Sequence, residues 1–140
     1  MTRYVATHPD YRALAEFRFQ IRTFLKNSEA AAQAVGLEPQ QHQLLLTIKG
    51  LPDGASPTVG YLAERMLLKH HSAVELVDRC ERAGLTTREH DAEDHRRVLV
   101  SLTAAGEDVL RRLSEVHEDE LMSLAPHLIG ALEAIMGEKA

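Results

Sequence analysis

The hydrophobic period of this chain changes after Gly84, and this change constrains the fold more than any other feature of the sequence. Before Gly84, apolar residues recur at spacings of three and four, as they do along one face of a helix. Residues 98–102 alternate with the period of a strand, and a second candidate strand covers residues 85–90. The polar, charged segment 91–97 separates the two. The sequence therefore predicts a β-hairpin with a long exposed tip, placed between helices.

The remainder of the chain has the periodicity of helices. The first predicted helix, residues 9–35, is long for a small domain, since the mean helix has about 11–12 residues. A long helix with few partners in a short chain favours packing against another subunit. Thr58 and Thr103 are predicted N-caps, and Ser123 and Pro126 predict a break and restart of the helix. The other predicted helices cover residues 39–49, 58–66, 71–83, 104–121 and 124–137.

Length and composition indicate one soluble domain. The chain has 140 residues, of which 44% are hydrophobic and 26% are charged, so one core is expected and wholesale disorder is not. No apolar run approaches the roughly 20 residues of a membrane span, and the first residues lack the apolar region of a secretory signal. The single cysteine, Cys80, cannot form an internal disulfide. We therefore expect a cytoplasmic protein with no membrane partner.

The charge of the chain is acidic and uneven. A net charge of −5 excludes a strongly basic nucleic-acid coat, but it leaves room for a local DNA-binding face. Residues 104–140 carry three basic and eight acidic residues, whereas residues 61–103 carry seven basic and eight acidic ones. The last quarter of the chain is therefore expected to lie away from a phosphate backbone.

Two short helices followed directly by a hairpin make the plan of a winged helix-turn-helix. The second helix of the pair, residues 71–83, would fit the major groove, which is wide enough for one helix. The hairpin tip would reach the adjacent minor groove or the backbone. The pattern alone leaves open a helical domain whose hairpin binds no DNA.

Two motifs make the chain resemble the MarR family of bacterial transcriptional regulators. Residues 76–85 read LVDRCERAGL, which is similar to the family's LVDRLE..GL at the end of a helix. Residues 94–106 read DHRRVLVSLTAAG, which is similar to the family's D.R…V.LT..G at the end of the wing. Both motifs occur in register, and the flanking helices also match, so the resemblance covers almost the whole chain.

The resemblance implies a mainly α fold with a small β-hairpin wing, in one domain over residues 1–140. Residues 39–103 would form the DNA-binding lobe, and residues 9–35 and 104–137 would form dimerisation helices. A homodimeric repressor would bind a pseudo-palindromic operator in double-stranded DNA, since operator symmetry mirrors protein symmetry. A small-molecule effector would release it. No motif of an enzyme is present in the sequence.

The resemblance also places the DNA contacts at the start of the recognition helix and in the wing. Arg96 matches the wing arginine that enters the minor groove, where negative potential is concentrated, and Asp94 matches the acid that orients it. Arg88 and Arg97 are expected to hold phosphates. The full set of expected DNA-binding residues is Lys69, His70, His71, Ser72, Glu75, Arg88, Asp94, Arg96 and Arg97.

Three residues depart from the family's pattern. Glu75 stands where a basic or polar residue that faces the groove is common, and Glu93 stands where a second wing arginine often occurs. Val74 replaces a frequent serine or threonine. A carboxylate at position 75 cannot bind phosphate, although it could accept from a cytosine N4 amine. These departures motivate an alternative: a winged-helix ligand-binding or protein-interaction module with weak or lost DNA affinity.

An effector pocket between the dimerisation and DNA-binding regions is also implied by the resemblance. Phe17, Ile21, His42 and Leu45 would there bind a small aromatic or phenolic effector. Ordinary core packing is the competing interpretation of these four residues.

The remaining reactive side chains are expected to be structural. Cys80 stands where the family has leucine and should be a small buried hydrophobe. Asp78 and Arg79 occupy positions suited to an internal ion pair. No cofactor is expected and no metal site is predicted, although His42, Glu107 and His117 are the residues that could converge on zinc from different helices.

Overall fold

A computed structural model describes residues 8–137 and confirms the predicted fold class. Within this range the chain is mainly helical, and its two strands pair antiparallel in one hairpin. The elements in chain order are α1 (Tyr11–Ala34), α2 (Pro39–Lys49), α3 (Val59–Met66), α4 (His70–Arg82), β1 (Thr86–His90), β2 (Val98–Leu102) and α5 (Ala104–Ile135).

One helix replaces the two that were predicted after Thr103. The predicted break at Ser123 and Pro126 is wrong, because α5 is a single helix of 32 residues with Pro126 inside it. An interior proline removes one backbone hydrogen bond and crowds the preceding turn, at a cost of about 3 kcal/mol. That cost falls on one turn, whereas the hydrogen bonds of the turns on both sides are kept. A long helix therefore tolerates what would end a short one.

The described residues form two compact units. The first contains residues 8–30 and 115–137, and the second contains residues 31–114. Helices α1 and α5 each contribute to both units. In the first unit, the rings of Phe24 and His117 pack edge to face with centroids 6.0 Å apart.

The second unit has a continuous hydrophobic core. Helix α4 contributes one face to it, because Ala73, Leu76, Val77 and Cys80 recur at helical spacing and are all buried. The opposite face of α4 stays in solvent. Burial of one face fixes the helix in place and leaves the other available to a partner. The largest side chains that are fully buried are Leu44, Leu45, Leu62, Leu76, Val77, Cys80 and Val100.

The turn between α3 and α4 contains a leucine in the left-handed conformation. Leu67 has φ of 56° and a side chain that is 91% exposed. Its neighbours Met66 and Leu68 are partly buried and pack against the core. Because the left-handed conformation costs a non-glycine residue about 1–2 kcal/mol, packing on both sides of Leu67 imposes the turn.

The two N-caps predicted from the sequence are confirmed. The Thr58 Oγ1 atom accepts from the backbone N–H of Tyr61 at 3.2 Å, at the start of α3. The Thr103 Oγ1 atom accepts from the backbone N–H of Gly106 at 3.1 Å, at the start of α5. Each bond satisfies a backbone donor that the first turn of a helix leaves without a partner.

Thr103 and Gly106 also join the start of α5 to the segment between α4 and β1. The Thr103 hydroxyl donates to the Gly84 carbonyl at 2.6 Å, and the Thr103 N–H donates to the Leu85 carbonyl at 3.0 Å. A Cβ atom on Gly106 would lie 2.2 Å from the Leu85 carbonyl oxygen. The backbones are therefore close enough that only glycine fits at position 106.

Replacing Gly106 by alanine is expected to destabilise the protein by about 1–3 kcal/mol, because the backbone of Leu85 must move to admit the new methyl group. The free energy of unfolding in urea measures this loss. Gly60→Ala is the matched control, since a Cβ atom on Gly60 meets nothing within 4 Å. Equal stability of the two variants would contradict the close approach.

Candidate nucleic-acid interface

The first five residues of the predicted interface lie together at the start of α4. Lys69 is the N-cap residue of the helix, with extended backbone angles, and His70 and His71 follow it. Ser72 is half-buried, whereas the other four, including Glu75, are exposed. Residues 71 and 75 are one turn apart on the same face of the helix. This end of α4 thus presents donors, a cation and one carboxylate to solvent.

The wing carries an arginine that is held at its tip by a neighbouring aspartate. The Nε and Nη2 atoms of Arg96 donate to the two carboxylate oxygens of Asp94 at 3.0 and 3.2 Å. The Asp94 Oδ1 atom also accepts from the backbone N–H of Arg96 at 3.1 Å. The Arg96 side chain nevertheless remains 90% exposed. The forked contact fixes the orientation of the guanidinium while leaving it accessible.

The charges of this pair are mutually stabilised. The hydrogen bonds from Arg96 hold the pKa of the Asp94 carboxyl below its ordinary value. In return, Asp94 raises the pKa of the Arg96 guanidinium. The contact therefore persists to a lower pH than an unpaired aspartate would stay ionised.

Local hydrogen bonds give the rest of the wing tip a defined shape. The backbone N–H of Asp91 donates to the Arg97 carbonyl at 2.9 Å, and the N–H of Glu93 donates to the Asp91 carboxylate at 2.9 Å. The Arg97 guanidinium lies 3.5 Å from the Asp91 carboxylate. Nδ1 of His90 lies 2.9 Å from the carbonyl oxygen of His95. The exposed loop predicted at the tip is thus confirmed, and these contacts give it a defined shape.

Arg88 is placed differently from the other wing arginines. Its side chain is 30% exposed and faces α4, where its Nη2 atom donates to the Asp78 carboxylate. Its Nη1 atom lies 3.9 Å from the Glu81 carboxylate. Sequence reasoning missed both partners, because the periodicity of α4 does not show which of its faces β1 approaches.

Asp78 and Arg79 both make ion pairs, but not with each other. Asp78 binds Arg88 of the wing, and the Nε atom of Arg79 lies 3.2 Å from the carboxylate of Glu38 at the N-cap of α2. The structural role predicted for the two residues is therefore confirmed, and each connects α4 to a different element.

The four residues of the predicted effector pocket are divided between the two units. Phe17 and Ile21 lie in the first unit and are half-buried, whereas His42 and Leu45 lie in the second and are buried. The pocket remains a prediction.

A groove of about 680 Å³ lies within the second unit. Leu46 is half exposed and lines it, together with the Lys49–Glu107 ion pair, whose charged atoms are 3.0 Å apart. A sequence signal for this groove is the run of three successive leucines, residues 44–46, on α2. Neighbouring residues on a helix point about 100° apart, so a helix that buries one face leaves one of three such leucines near its edge. The remaining lining residues are Ala104, Asp108, Leu110, Arg111 and Ser114.

Cys80 has the buried position that was predicted for it. Its side chain is fully buried, and this burial raises the pKa of the thiol to about 11. Within residues 8–137, no group of three or more histidine, cysteine, aspartate or glutamate side chains is placed to hold a metal ion. No helix in the same range is long and apolar enough to cross a membrane.

A helix pair with an exposed recognition face, followed by a hairpin that holds an arginine at its tip, defines a winged helix-turn-helix DNA-binding protein. Residues 35–97 match the family model described as the MarR family. The uncharacterized HTH-type transcriptional regulator YcgE of Bacillus subtilis (strain 168) is 36% identical over 122 residues, which covers 79% of this chain and 77% of that protein. The chain belongs to the MarR family of transcriptional regulators, and this family is not one of enzymes.

Solved structures share the fold. AbsC, a MarR family transcriptional regulator from Streptomyces coelicolor, has a TM-score of 0.71 at 20% identity and covers 97% of this chain and 94% of its own. The Staphylococcus aureus MepR–DNA complex has a TM-score of 0.65 at 20% identity and covers 80% of this chain and 81% of that chain. At these identities the likeness concerns the fold.

We expect Cys80 to resist alkylation in the native protein. A rise in thiol pKa from 9.0 to about 11 lowers the thiolate fraction near pH 8 by about a hundredfold, and burial further blocks access. Iodoacetamide labelling followed by mass measurement tests this, with the urea-unfolded protein as the control that should react fully. Rapid labelling of the folded protein would contradict the buried position.

Proposed function

We propose that the protein is a homodimeric repressor that binds a pseudo-palindromic DNA operator and is released by a small-molecule effector. The observation that carries the proposal is the Arg96 side chain, which is 90% exposed yet held by two hydrogen bonds from its guanidinium to Asp94. An arginine fixed in this way can enter a narrow minor groove with little loss of conformational entropy, because its orientation is already set.

The start of α4 would supply the contacts in the major groove. His70 and His71 would donate to base edges, and Lys69 would bind a backbone phosphate beside them. Glu75 would accept from the N4 amine of a cytosine, because a carboxylate has no proton to donate to guanine or to phosphate. The buried face of α4 keeps these side chains in fixed register. The protein would work in the cytoplasm, where the chromosome is accessible.

The wing tip would bind the DNA backbone beside the minor groove that Arg96 enters. Arg97 lies beside Asp91 but is still 42% exposed, which suits a phosphate contact next to the minor groove. The two regions together would contact both grooves of one operator half-site.

Exposed apolar side chains in the first unit support a dimer. Large apolar side chains are exposed there on both helices, leucines with a tyrosine and a phenylalanine on α1 and aliphatic residues with a methionine on α5, and a monomer would leave them in water. A two-fold dimer built on residues 9–35 and 104–137 would cover them and space two recognition helices for two half-sites. The acidic residues 104–140 would then lie away from the DNA. The exposed apolar residues of this unit are Tyr11, Leu14, Phe19, Leu25, Val116, Leu121, Met122, Ile129, Leu132, Ile135 and Met136.

A small aromatic or phenolic acid would act as the effector. Phe17, Ile21, His42 and Leu45 remain the proposed pocket residues. The groove beside Leu46, which none of these four residues lines, is a second candidate, because its volume of about 680 Å³ falls within the range of ligand sites, about 300–1,000 Å³. Binding would favour a dimer whose recognition helices have the wrong separation for the operator. Release would appear as a fall in anisotropy when such an acid is added to the complex with labelled DNA.

We expect salt-sensitive binding to the DNA upstream of the protein's own gene, and a loss of about ten- to a hundredfold in affinity for Arg96→Ala. The physical reasons are the lost minor-groove contact and the uncompensated charge left on Asp94. Fluorescence anisotropy at two salt concentrations measures both quantities. Arg112→Ala, which removes an arginine paired with Asp108 on α5, is the matched control and should bind like wild type. Binding no tighter than to random DNA would support the ligand-binding alternative.

We expect a dimer at micromolar concentration, with a mass twice the 15.6 kDa of the chain. Leu132→Glu should dissociate it, because a carboxylate would be buried without a partner. Leu67→Glu should not, since Leu67 is exposed in the second unit. Sedimentation velocity separates these outcomes, and a stable wild-type monomer would show that the proposed architecture is wrong.

A further inference from the structure

Arg88 connects the first strand of the wing to the recognition helix. On β1 it pairs in register with Val100 of β2, which is fully buried, so both side chains lie on the face of the hairpin turned toward the core. From there the guanidinium reaches Asp78 and Glu81, which are three residues apart and share one face of α4. The contact is half-buried, with side-chain exposures of 30%, 39% and 43% for Arg88, Asp78 and Glu81.

This arrangement argues against the phosphate contact that the resemblance implies for Arg88. One guanidinium charge faces two carboxylates, so a phosphate approaching this group would meet a local excess of negative charge. The donors of Arg88 that point at Asp78 would also have to leave their partner. Arg96 differs, because a single carboxylate holds it and its side chain remains 90% exposed.

The two strands of the wing are attached to the lobe by different means. Strand β2 is fixed by backbone bonds, because the N–H of Val100 donates to the Pro57 carbonyl at 2.9 Å and Leu99 forms a bridge with Thr58. Strand β1 pairs only with β2 among the described residues. Arg88 therefore supplies a direct side-chain attachment between β1 and α4.

We propose that Arg88 is a positioning residue that sets the wing at a fixed distance from the recognition helix, with Asp78 as its main partner and Glu81 as its second. The proposal rests on the proposed DNA-binding function, in which α4 and Arg96 enter two grooves at once. If the wing moves freely, the Arg96 contact requires the wing to be ordered on binding, and affinity falls. Arg88 acts through Arg96 and does not itself touch DNA.

Single substitutions at the two ends of the contact separate this role from a phosphate contact. Asp78→Asn would release Arg88 and remove one negative charge, so it would strengthen DNA binding if Arg88 held a phosphate. If the Asp78–Arg88 contact instead positions the wing, Asp78→Asn should weaken operator binding by about fivefold, and Arg88→Met should do the same. Arg88→Met should also leave the slope of log affinity against log salt unchanged, whereas loss of a phosphate contact lowers that slope by about one.

Controls correct for charge and for folding. Asp53→Asn removes one carboxylate from the loop between α2 and α3, and Arg112→Met removes the exposed arginine that pairs with Asp108 on α5. Because Arg112 lies in the range proposed for the dimer, sedimentation velocity verifies that this variant is still dimeric. Both variants should bind the operator like wild type. Urea unfolding of every variant verifies that the proteins are folded at the assay temperature. Arg88→Lys should recover part of the lost affinity, since it keeps the charge and loses the fork.

A double-mutant cycle with Arg96→Ala gives the decisive readout. If Arg88 acts only through Arg96, the affinity cost of Arg96→Ala should be about fivefold smaller in the Arg88→Met protein than in wild type, which equals the loss expected for Arg88→Met alone. Equal costs in the two backgrounds would overturn the proposal, as would tighter binding by Asp78→Asn. A wild type that binds no operator would overturn the proposed function as well. If wild type binds the operator but the effects of Arg88→Met and Arg96→Ala on affinity are additive, only the positioning role would be overturned.

Discussion

Contact between the backbones of Gly106 and Leu85 is the constraint on which the winged helix-turn-helix depends. Four elements meet there, because α4 ends at Arg82 and β1 begins at Thr86, while β2 ends at Leu102 and α5 begins at Ala104. The hydroxyl of Thr103 donates to one side of this junction and accepts from the other. Helix α4, the two strands of the wing and the start of α5 thus meet at one place. Any displacement of the junction would be transmitted to both.

Most arginines of residues 61–103 form ion pairs within the protein, which reduces their general attraction to DNA. Residues 61–103 carry seven basic and eight acidic residues, and Arg79, Arg88, Arg96 and Arg97 each face a carboxylate. We expect such a surface to bind an arbitrary phosphate backbone weakly, because non-specific binding arises from uncompensated cations. The discrimination between an operator and other DNA would therefore come from the fit of a few side chains.

The sequence predicted most of the secondary structure, because helix and strand periods differ and the two caps, Thr58 and Thr103, mark helix starts. The sequence did not predict that α5 is continuous. The cost of Pro126 is local, and the sequence does not show how strongly packing stabilises the helical turns on either side of it. The wing-tip pair of Arg96 and Asp94 was expected from its motif, as these residues are two apart. The partners of Arg88 were not, because contacts between elements depend on how β1 lies against α4. Contacts between residues close in sequence could be predicted from the sequence, whereas contacts between different elements could not.

Leu67 shows which part of the helix-turn-helix carries its geometry. The side chain is almost wholly in solvent, yet its backbone has a conformation that leucine disfavours, while Met66 and Leu68 on either side are anchored. The anchored neighbours therefore hold the turn, and position 67 contributes to it through its left-handed backbone and not through side-chain packing. The side chain at position 67 can change in charge or polarity among residues that tolerate this backbone, which excludes proline and disfavours β-branched residues. The helix-turn-helix thus has, beside the face proposed to bind DNA, a position whose exposed side chain can vary while the anchored neighbours keep the turn.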